Sequence, residues 1–173
     1  KQYFTILSKL VPNEFRFKGR SRRPPRDAFN SMLSLGYTLL LHEIVGYIEA
    51  ARLSPYAAFL HQDSENHPTL ASDLIEEWRS VLIDSLVLNL VINKKMKKTD
   101  FVTYEDQEGV FLTEESLKKF LSEYVKKLET KQKYIGALRN ETSFRKAIFH
   151  QVRSLVQAIE YEDTDLYNPI IIR

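Results

Sequence analysis

From its first residues the chain sets apolar side chains three and four apart. Tyr3, Ile6, Leu7, Leu10 and Val11 describe one helical face. A helix is therefore predicted from Lys1 or earlier, closed by Pro12 and Asn13. With no initiator Met and no N-cap ahead of it, the chain reads as a piece of something longer. Residues 13 to 26 break the pattern, because Gly19 and the Pro24-Pro25 pair exclude a regular helix and predict an exposed arm. Asp27 is a good N-cap for a long helix reaching about Leu53. Its Leu33, Tyr37, Leu40, Leu41, Ile44, Val45 and Ile48 are too broadly apolar for a single exposed stripe, so this helix is expected to be a buried axle.

Ser54-Pro55 suits the N-cap and first position of a short helix ending at Phe59, Leu60 and His61. After the polar loop Gln62 to Pro68, a second long helix is predicted from about Thr69 to Val91. Leu70, Leu74, Trp78, Val81, Leu82 and Leu86 would face the core, with Asp73, Glu76, Glu77, Ser80 and Asp84 on the opposite stripe. Phe101 to Tyr104 and Val110 to Leu112 flank Glu-Asp-Gln-Glu-Gly, the pattern of a β-hairpin. Thr113 should cap a helix to about Tyr134, with Glu114 and Glu115 in its first turn. Ser143 to about Glu160 forms the last helix, before an extended tail from Tyr167 to Arg173. The expected fold class is all-α: one multi-helix domain over 1–173, with two long core helices and one small hairpin.

Charge sharpens this picture. Residues 1 to 26 hold eight Lys or Arg against one acid, while the remainder holds 17 against 22. Such segregation suits a polyanion at one end and cations at the other. Cysteine is absent, which excludes disulfides, thiolate nucleophiles and thiolate-bound metals and leaves His, Asp and Glu as metal ligands. No run reaches the ~20 apolar residues of a spanning helix and no secretory signal is visible, so no membrane partner and a cytoplasmic location are expected.

Two constellations bear chemistry. In the arm, Arg16, Lys18, Arg20, Arg22, Arg23 and Arg26 make six of eleven residues basic. Arginine forks bind phosphate oxygens bidentately, and Phe15 and Phe17 would either stack on bases or anchor the arm. A merely solvated basic loop stays open at this point. Asp73 and Glu76, three apart, would project from one helical face, and the loop after His61 is long enough to fold that imidazole over them. Such a set would hold a hard or borderline divalent cation, Mg²⁺ or Mn²⁺ rather than zinc, although an acidic helix face is often only solvated. His42 is expected in a polar pocket and His67 in an exposed loop, neither with a function. A serine-hydrolase elbow and a glycine-rich phosphate loop are both absent.

Arm, histidine and acidic helix together resemble one family, the CRISPR-associated integrase, also described as an endonuclease. The resemblance rests on Phe17-Lys18-Gly19-Arg20-Ser21-Arg22-Arg23-Pro24-Pro25-Arg26-Asp27 and the following Asn30 to Leu40. It continues through Pro55-Tyr56, Phe59-Leu60-His61, Pro68-Thr69-Leu70-Ala71-Ser72-Asp73-Leu74-Ile75-Glu76-Glu77-Trp78-Arg79, Gly109 to Thr113 and the tail from Pro169. It implies a C-terminal helical catalytic lobe of an antiviral-defense nuclease and integrase. Such a protein would insert new spacer DNA at repeat boundaries by 3′-hydroxyl attack on phosphodiesters, with Mg²⁺ or Mn²⁺. By motif, His61 and Glu76 fall on two of the family's metal ligands and Asp73 on a further acidic position. The remaining Glu ligand and a β-rich dimerisation domain would precede Lys1, so this stretch alone is expected to be inactive. Implied partners are prespacer and repeat DNA, a second copy, a small ferredoxin-like CRISPR-associated subunit and a prespacer-trimming nuclease. The alternatives are a non-catalytic helical DNA-binding module, which needs the arm but not His61, Asp73 and Glu76, and a purely structural helical domain.

Overall fold

The computed structural model describes residues 2–60, 67–133 and 140–170. Among them six α-helices follow in order: α1 (Gln2–Leu10), α2 (Ala28–Ala50), α3 (Thr69–Ile75), α4 (Ser85–Ile92), α5 (Glu114–Leu128) and α6 (Phe144–Glu160). Four two-residue strands pair as two hairpins: β1 (Phe101–Val102) with β2 (Phe111–Leu112), and β3 (Lys131–Gln132) with β4 (Thr142–Ser143). This is the mostly helical class the periodicity implies, with a second small hairpin added. The chain divides into two compact units, Lys1–Thr38 with Ser80–Val125, and Leu39–Arg79 with Lys126–Arg173.

In the first unit α2 begins where Asp27 dictates. The Asp27 carboxylate accepts the Asn30 backbone N–H at 2.8 Å and the Asn30 side-chain amide at 2.7 Å, so the cap satisfies an orphan donor and fixes a neighbouring side chain. Phe29, Met32 and Leu33 are fully buried, as are Leu82, Ile83, Val87 and Leu90. Helix α1 buries Leu7 and leaves Tyr3, Ile6 and Leu10 about half exposed, so its predicted apolar face is only partly covered within the unit. The hairpin is antiparallel, with Phe101 opposite Leu112 and Val102 opposite Phe111. Thr113 caps α5 by accepting the Ser116 N–H at 3.3 Å.

Gly36 marks the tightest approach of this unit. A Cβ there would stand 2.5 Å from Ile83 Cγ2, a stiff β-branched methyl. Gly36→Ala is therefore expected to cost ~1–3 kcal/mol despite alanine's better helix propensity, read as a lower urea midpoint.

In the second unit the rest of α2 buries Leu40, Ile44 and Ile48. By length and composition α2 could cross a membrane, with a mean hydropathy of 1.2 over its most apolar window. Of that window 39% is buried, with Phe29, Met32 and Leu33 in the first unit and Leu40, Ile44 and Ile48 in the second fully so. Ser143 caps α6, accepting the Lys146 N–H at 3.3 Å. Helix α5 stops at Leu128 rather than near Tyr134, because the backbone of Lys131 and Gln132 turns to pair with Ser143 and Thr142. Tyr134 lies outside the described residues.

The predicted helix from Thr69 to Val91 is broken. Helix α3 ends at Ile75, and after a turn the residues Arg79–Asp84 form a π-helical stretch before α4. A π-turn widens the helix and resets its phase, so a single 3.6-residue period cannot place both halves. Asp73 and Asp84, assigned to the outer stripe, are instead 9% and 3% exposed. Each carboxylate is satisfied inside its own unit, Asp84 by the Tyr3 and Tyr37 hydroxyls and Asp73 by backbone N–H groups described below. Residues 54–60 also depart from expectation, forming turns rather than a short helix. Their backbone groups bond outward to α3 instead of along the chain: Leu70 N–H donates to Pro55 O at 2.9 Å, and Thr69 Oγ1 to Tyr56 O at 2.7 Å.

The tail is tied down by a partly buried polar chain. Trp78 Nε1 donates to Gln151 Oε1 at 2.7 Å, Gln151 Nε2 to the Tyr167 hydroxyl at 3.1 Å, and that hydroxyl to Glu77. Glu77 also accepts the Ile170 N–H at 2.8 Å. Burial first, and then the bond to and charge of Glu77, push the Tyr167 phenol well above its ordinary value of 10.0. A raised folded pKa gives stability that is whole below the unfolded value and disappears as pH rises from there toward the folded value. Thermal stability should therefore decline above pH ~10, and Tyr167→Phe should flatten part of that alkaline limb. Melting curves between pH 8 and 11 on both proteins would show a steeper wild-type slope.

Candidate functional site

The arm is lashed to the start of α2 within the first unit. Phe17 is 6% exposed and stacks on Phe29 with ring centres 4.7 Å apart, and Phe15 is buried edge-on to Phe101 at 6.1 Å. Of the two roles open to these rings, they take that of anchors. Asn30 makes the second tether, donating to Gly19 O at 2.9 Å and accepting the Ser21 N–H at 3.1 Å. The third lies at the far end, where Val110 N–H donates to Pro25 O at 2.9 Å.

This anchoring sorts the six basic residues. Arg16, Lys18, Arg22, Arg23 and Arg26 are exposed. Arg20 is half-buried and folds back along α2, donating to Asn30 Oδ1 and Ser34 Oγ, each at 3.0 Å, and to Ser21 O. Its guanidinium carbon lies 5.3 Å from the centre of the Tyr37 ring. Five cations thus stand on an ordered ribbon, with the sixth spent on holding the ribbon's shape. An ordered cationic surface binds phosphates without first losing chain entropy.

In the second unit the two acidic candidates part company. Asp73 and Glu76 were expected on one exposed face. Every residue of α3 is buried, Asp73 included, while Glu76 sits just past the helix end, is exposed, and pairs with Arg79. The cause is the end of α3 at Ile75, where the chain leaves the buried helix. Asp73 Oδ2 accepts the backbone N–H of Phe59 at 2.7 Å and of Leu60 at 2.9 Å. His61, the next residue in sequence, lies outside the described residues. His42 is exposed rather than pocketed, its solvent-facing helix position having no cover. His67 is half-buried with its Nε2 2.9 Å from Ser72 Oγ.

Among the described residues no group of three or more His, Asp or Glu converges as a metal cage. Glu76 fits a hard divalent cation, because it offers an exposed carboxylate beside a single ion-pair partner. Asp73 is buried, and its Oδ2 accepts two backbone N–H groups.

The family model described as CRISPR associated protein Cas1 matches residues 1–126. Over 160 residues the chain is 45% identical to the CRISPR-associated endonuclease Cas1 of Mycobacterium tuberculosis, across 92% of this chain and 47% of that protein. The chain belongs to the Cas1 family. It spans about half the length of the curated relatives it matches. Among solved structures, it resembles a casposase bound to integration product, with a TM-score of 0.85 and 29% identity over 96% of this chain and 46% of the other. It also resembles a chain of a partial Cas6-RT-Cas1–Cas2 complex, with a TM-score of 0.84 and 25% identity over 97% of this chain and 49% of the other.

Several polar residues of this Cas1 chain escaped the reading of spacing and charge. Arg20 carries no local mark that separates it from Arg22 or Arg23. Asp84 meets Tyr3 and Tyr37 across 81 and 47 residues, and Glu77 meets Tyr167 across 90. No periodicity joins positions so far apart. The one available signal was the oddity of two aspartates interleaved with the apolar set of α3 and α4.

Proposed function

We propose that this chain is the catalytic lobe of a metal-dependent DNA integrase and endonuclease of CRISPR adaptation, inserting spacer DNA at repeat boundaries. The observation that carries this reading is the likeness, over 96% of the chain, to a casposase bound to integration product. The anchored cationic arm supports it independently.

In this reading the arm's five exposed cations hold the DNA backbone and set its register, reading shape rather than base identity. Glu76 and His61 would hold Mg²⁺ or Mn²⁺, with the family's further Glu supplied from outside this stretch. When bound, that cation would orient the attacking 3′-hydroxyl and offset charge developing on the phosphoryl oxygens. A bond forms from the 3′-oxygen to phosphorus as the opposite bridging P–O bond breaks, the proton of the attacking hydroxyl being lost and the leaving oxygen taking one up. Water in place of the hydroxyl gives hydrolytic nicking by the same geometry. The partners proposed are DNA, a second copy of the protein, a small Cas2-like subunit and a prespacer-trimming nuclease. The second and third are proposed on the family resemblance and the complex matched above.

The test is joining of a labelled DNA with a free 3′-hydroxyl into a repeat-bearing duplex by the full-length protein, with and without Mn²⁺. Metal-dependent joined product supports the reading. DNA binding without joining or nicking under any metal would make the chain a binding module instead.

A further inference from the structure

The arm lies along the β1–β2 hairpin of its own unit and touches it near both ends. Phe15 packs edge-on to Phe101 at 6.1 Å where the arm begins, and Val110 N–H donates to Pro25 O at 2.9 Å where it finishes. A Cβ on Gly109 would stand 3.0 Å from Pro24 Cβ, so the two backbones close tightly there. These contacts bring opposite charges to the two ends. Beside the Phe15 end stands the corner Lys94-Lys95-Met96-Lys97-Lys98, which stops three residues before Phe101. Beside the Pro25 end stands the hairpin turn Glu105-Asp106-Gln107-Glu108, exposed throughout.

The lysine corner has a fixed shape. Lys94 takes the left-handed conformation (φ 54°) that ends α4, and Lys95 and Met96 then both donate their N–H groups to Leu90 O, at 2.9 and 3.0 Å. Met96 is 1% exposed, and the Asp100 carboxylate accepts the Lys97 N–H at 2.7 Å. Lys95 is paired with Glu123. Lys94, Lys97 and Lys98 are exposed and, among the described residues, have no ion-pair partner. The acids nearest them in this corner are Asp100, engaged in that cap, and the exposed Glu14. At the far end Glu105, Asp106 and Glu108 are likewise unpaired among the described residues, and the turn adjoins the backbone that carries Arg23 and Arg26.

We infer that the DNA backbone held by the arm runs on past Arg16 over Lys94, Lys97 and Lys98, and that the acidic turn closes this track beyond Arg26. The inference rests on the DNA-binding reading of the arm proposed above. A duplex carries a phosphate charge every ~1.7 Å of its axis, so three further cations beside Arg16 and Lys18 meet further phosphates. Carboxylates beside Arg26 repel the same charges over a range of ~10 Å at 0.1 M salt. The track thereby gains a direction that five exposed cations alone would not give it.

The experiment is salt-titrated fluorescence anisotropy of full-length protein on a labelled duplex DNA. K94Q/K97Q/K98Q keeps most of each side-chain stem and should flatten the slope of log affinity against log salt by ~2–3, at ~0.9 per lost contact. E105Q/D106N/E108Q should bind ~3-fold or more tightly at low salt, with the gain vanishing at high salt. K131Q/K133Q, two exposed lysines of the other unit, should keep the wild-type slope. The inference is overturned if the corner variant keeps the wild-type slope, or if the amide variant binds no more tightly than wild type. An equal loss of slope per lysine in K131Q/K133Q makes the effect one of net charge and overturns it too. An unchanged slope on neutralising the five arm cations overturns the arm reading instead, and the corner lysines then stand or fall by their own slope.

Discussion

Glu76→Gln and His61→Ala, each made in the full-length protein, should lower metal-dependent joining and nicking by at least ~100-fold, since even the loss of a group behind a ligand costs ~10–100-fold. The size of the effect follows from how few candidate donors the described residues offer. Glu76 is the one described carboxylate of the acidic helix that is exposed, and its sole ion pair is to Arg79 on the next turn. Exposure also means that removing it leaves no cavity and no buried orphan, so melting temperature should move little. DNA binding should persist as well, because the arm that would carry it belongs to the other unit. A variant inactive in chemistry, unchanged in stability and normal in DNA affinity is the expected signature. Full Mn²⁺-dependent activity in either variant would remove these residues from the ligand set.

Neutralising the arm should do the reverse. With Arg16, Lys18, Arg22, Arg23 and Arg26 all changed to Ala, the slope of log affinity against log salt on duplex DNA should flatten by ~0.9 per lost contact, or ~4–5 for all five. These side chains are exposed, and the ribbon is held by Phe15, Phe17, Asn30 and Arg20, so the arm should keep its shape. Arg20→Ala is expected to differ in kind: it removes the bonds to Asn30 and Ser34 and should loosen the ribbon, lowering affinity through disorder. Salt-titrated fluorescence anisotropy separates the two cases. An unchanged slope in the five-fold variant would leave the arm without a role in DNA binding.

Much of the architecture could be read from residues a few positions apart. Asp27 and Thr113 were recognisable as caps because a capping side chain meets an N–H three residues on, and each does so. The hairpin at Phe101 and Leu112 needed only alternation around a polar turn. The motif strings from Phe17 to Arg79 carried family membership, now supported by a match over residues 1–126.

Where a residue's partner lies far along the chain, these local rules stop. Asp73 and Glu76, three apart, looked equivalent, yet one is committed to the backbone of Phe59 and Leu60 and the other to the surface. The π-helical stretch at Arg79–Asp84 departs from the 3.6-residue period, so a pattern that assumes one period assigns Asp84 to solvent when Tyr3 and Tyr37 enclose it. Residues 54–60 carry a good helix-start signal, but their carbonyls and amides gain more from Thr69, Leu70 and Asp73 than one isolated turn could return. Composition and short-range pattern therefore sufficed for the helices, their caps and the kinship. Which charges face water, which are buried, and which hold a neighbour in place depended on contacts 13 to 90 residues apart, since only a folded chain can satisfy a buried carboxylate with donors its own neighbourhood lacks.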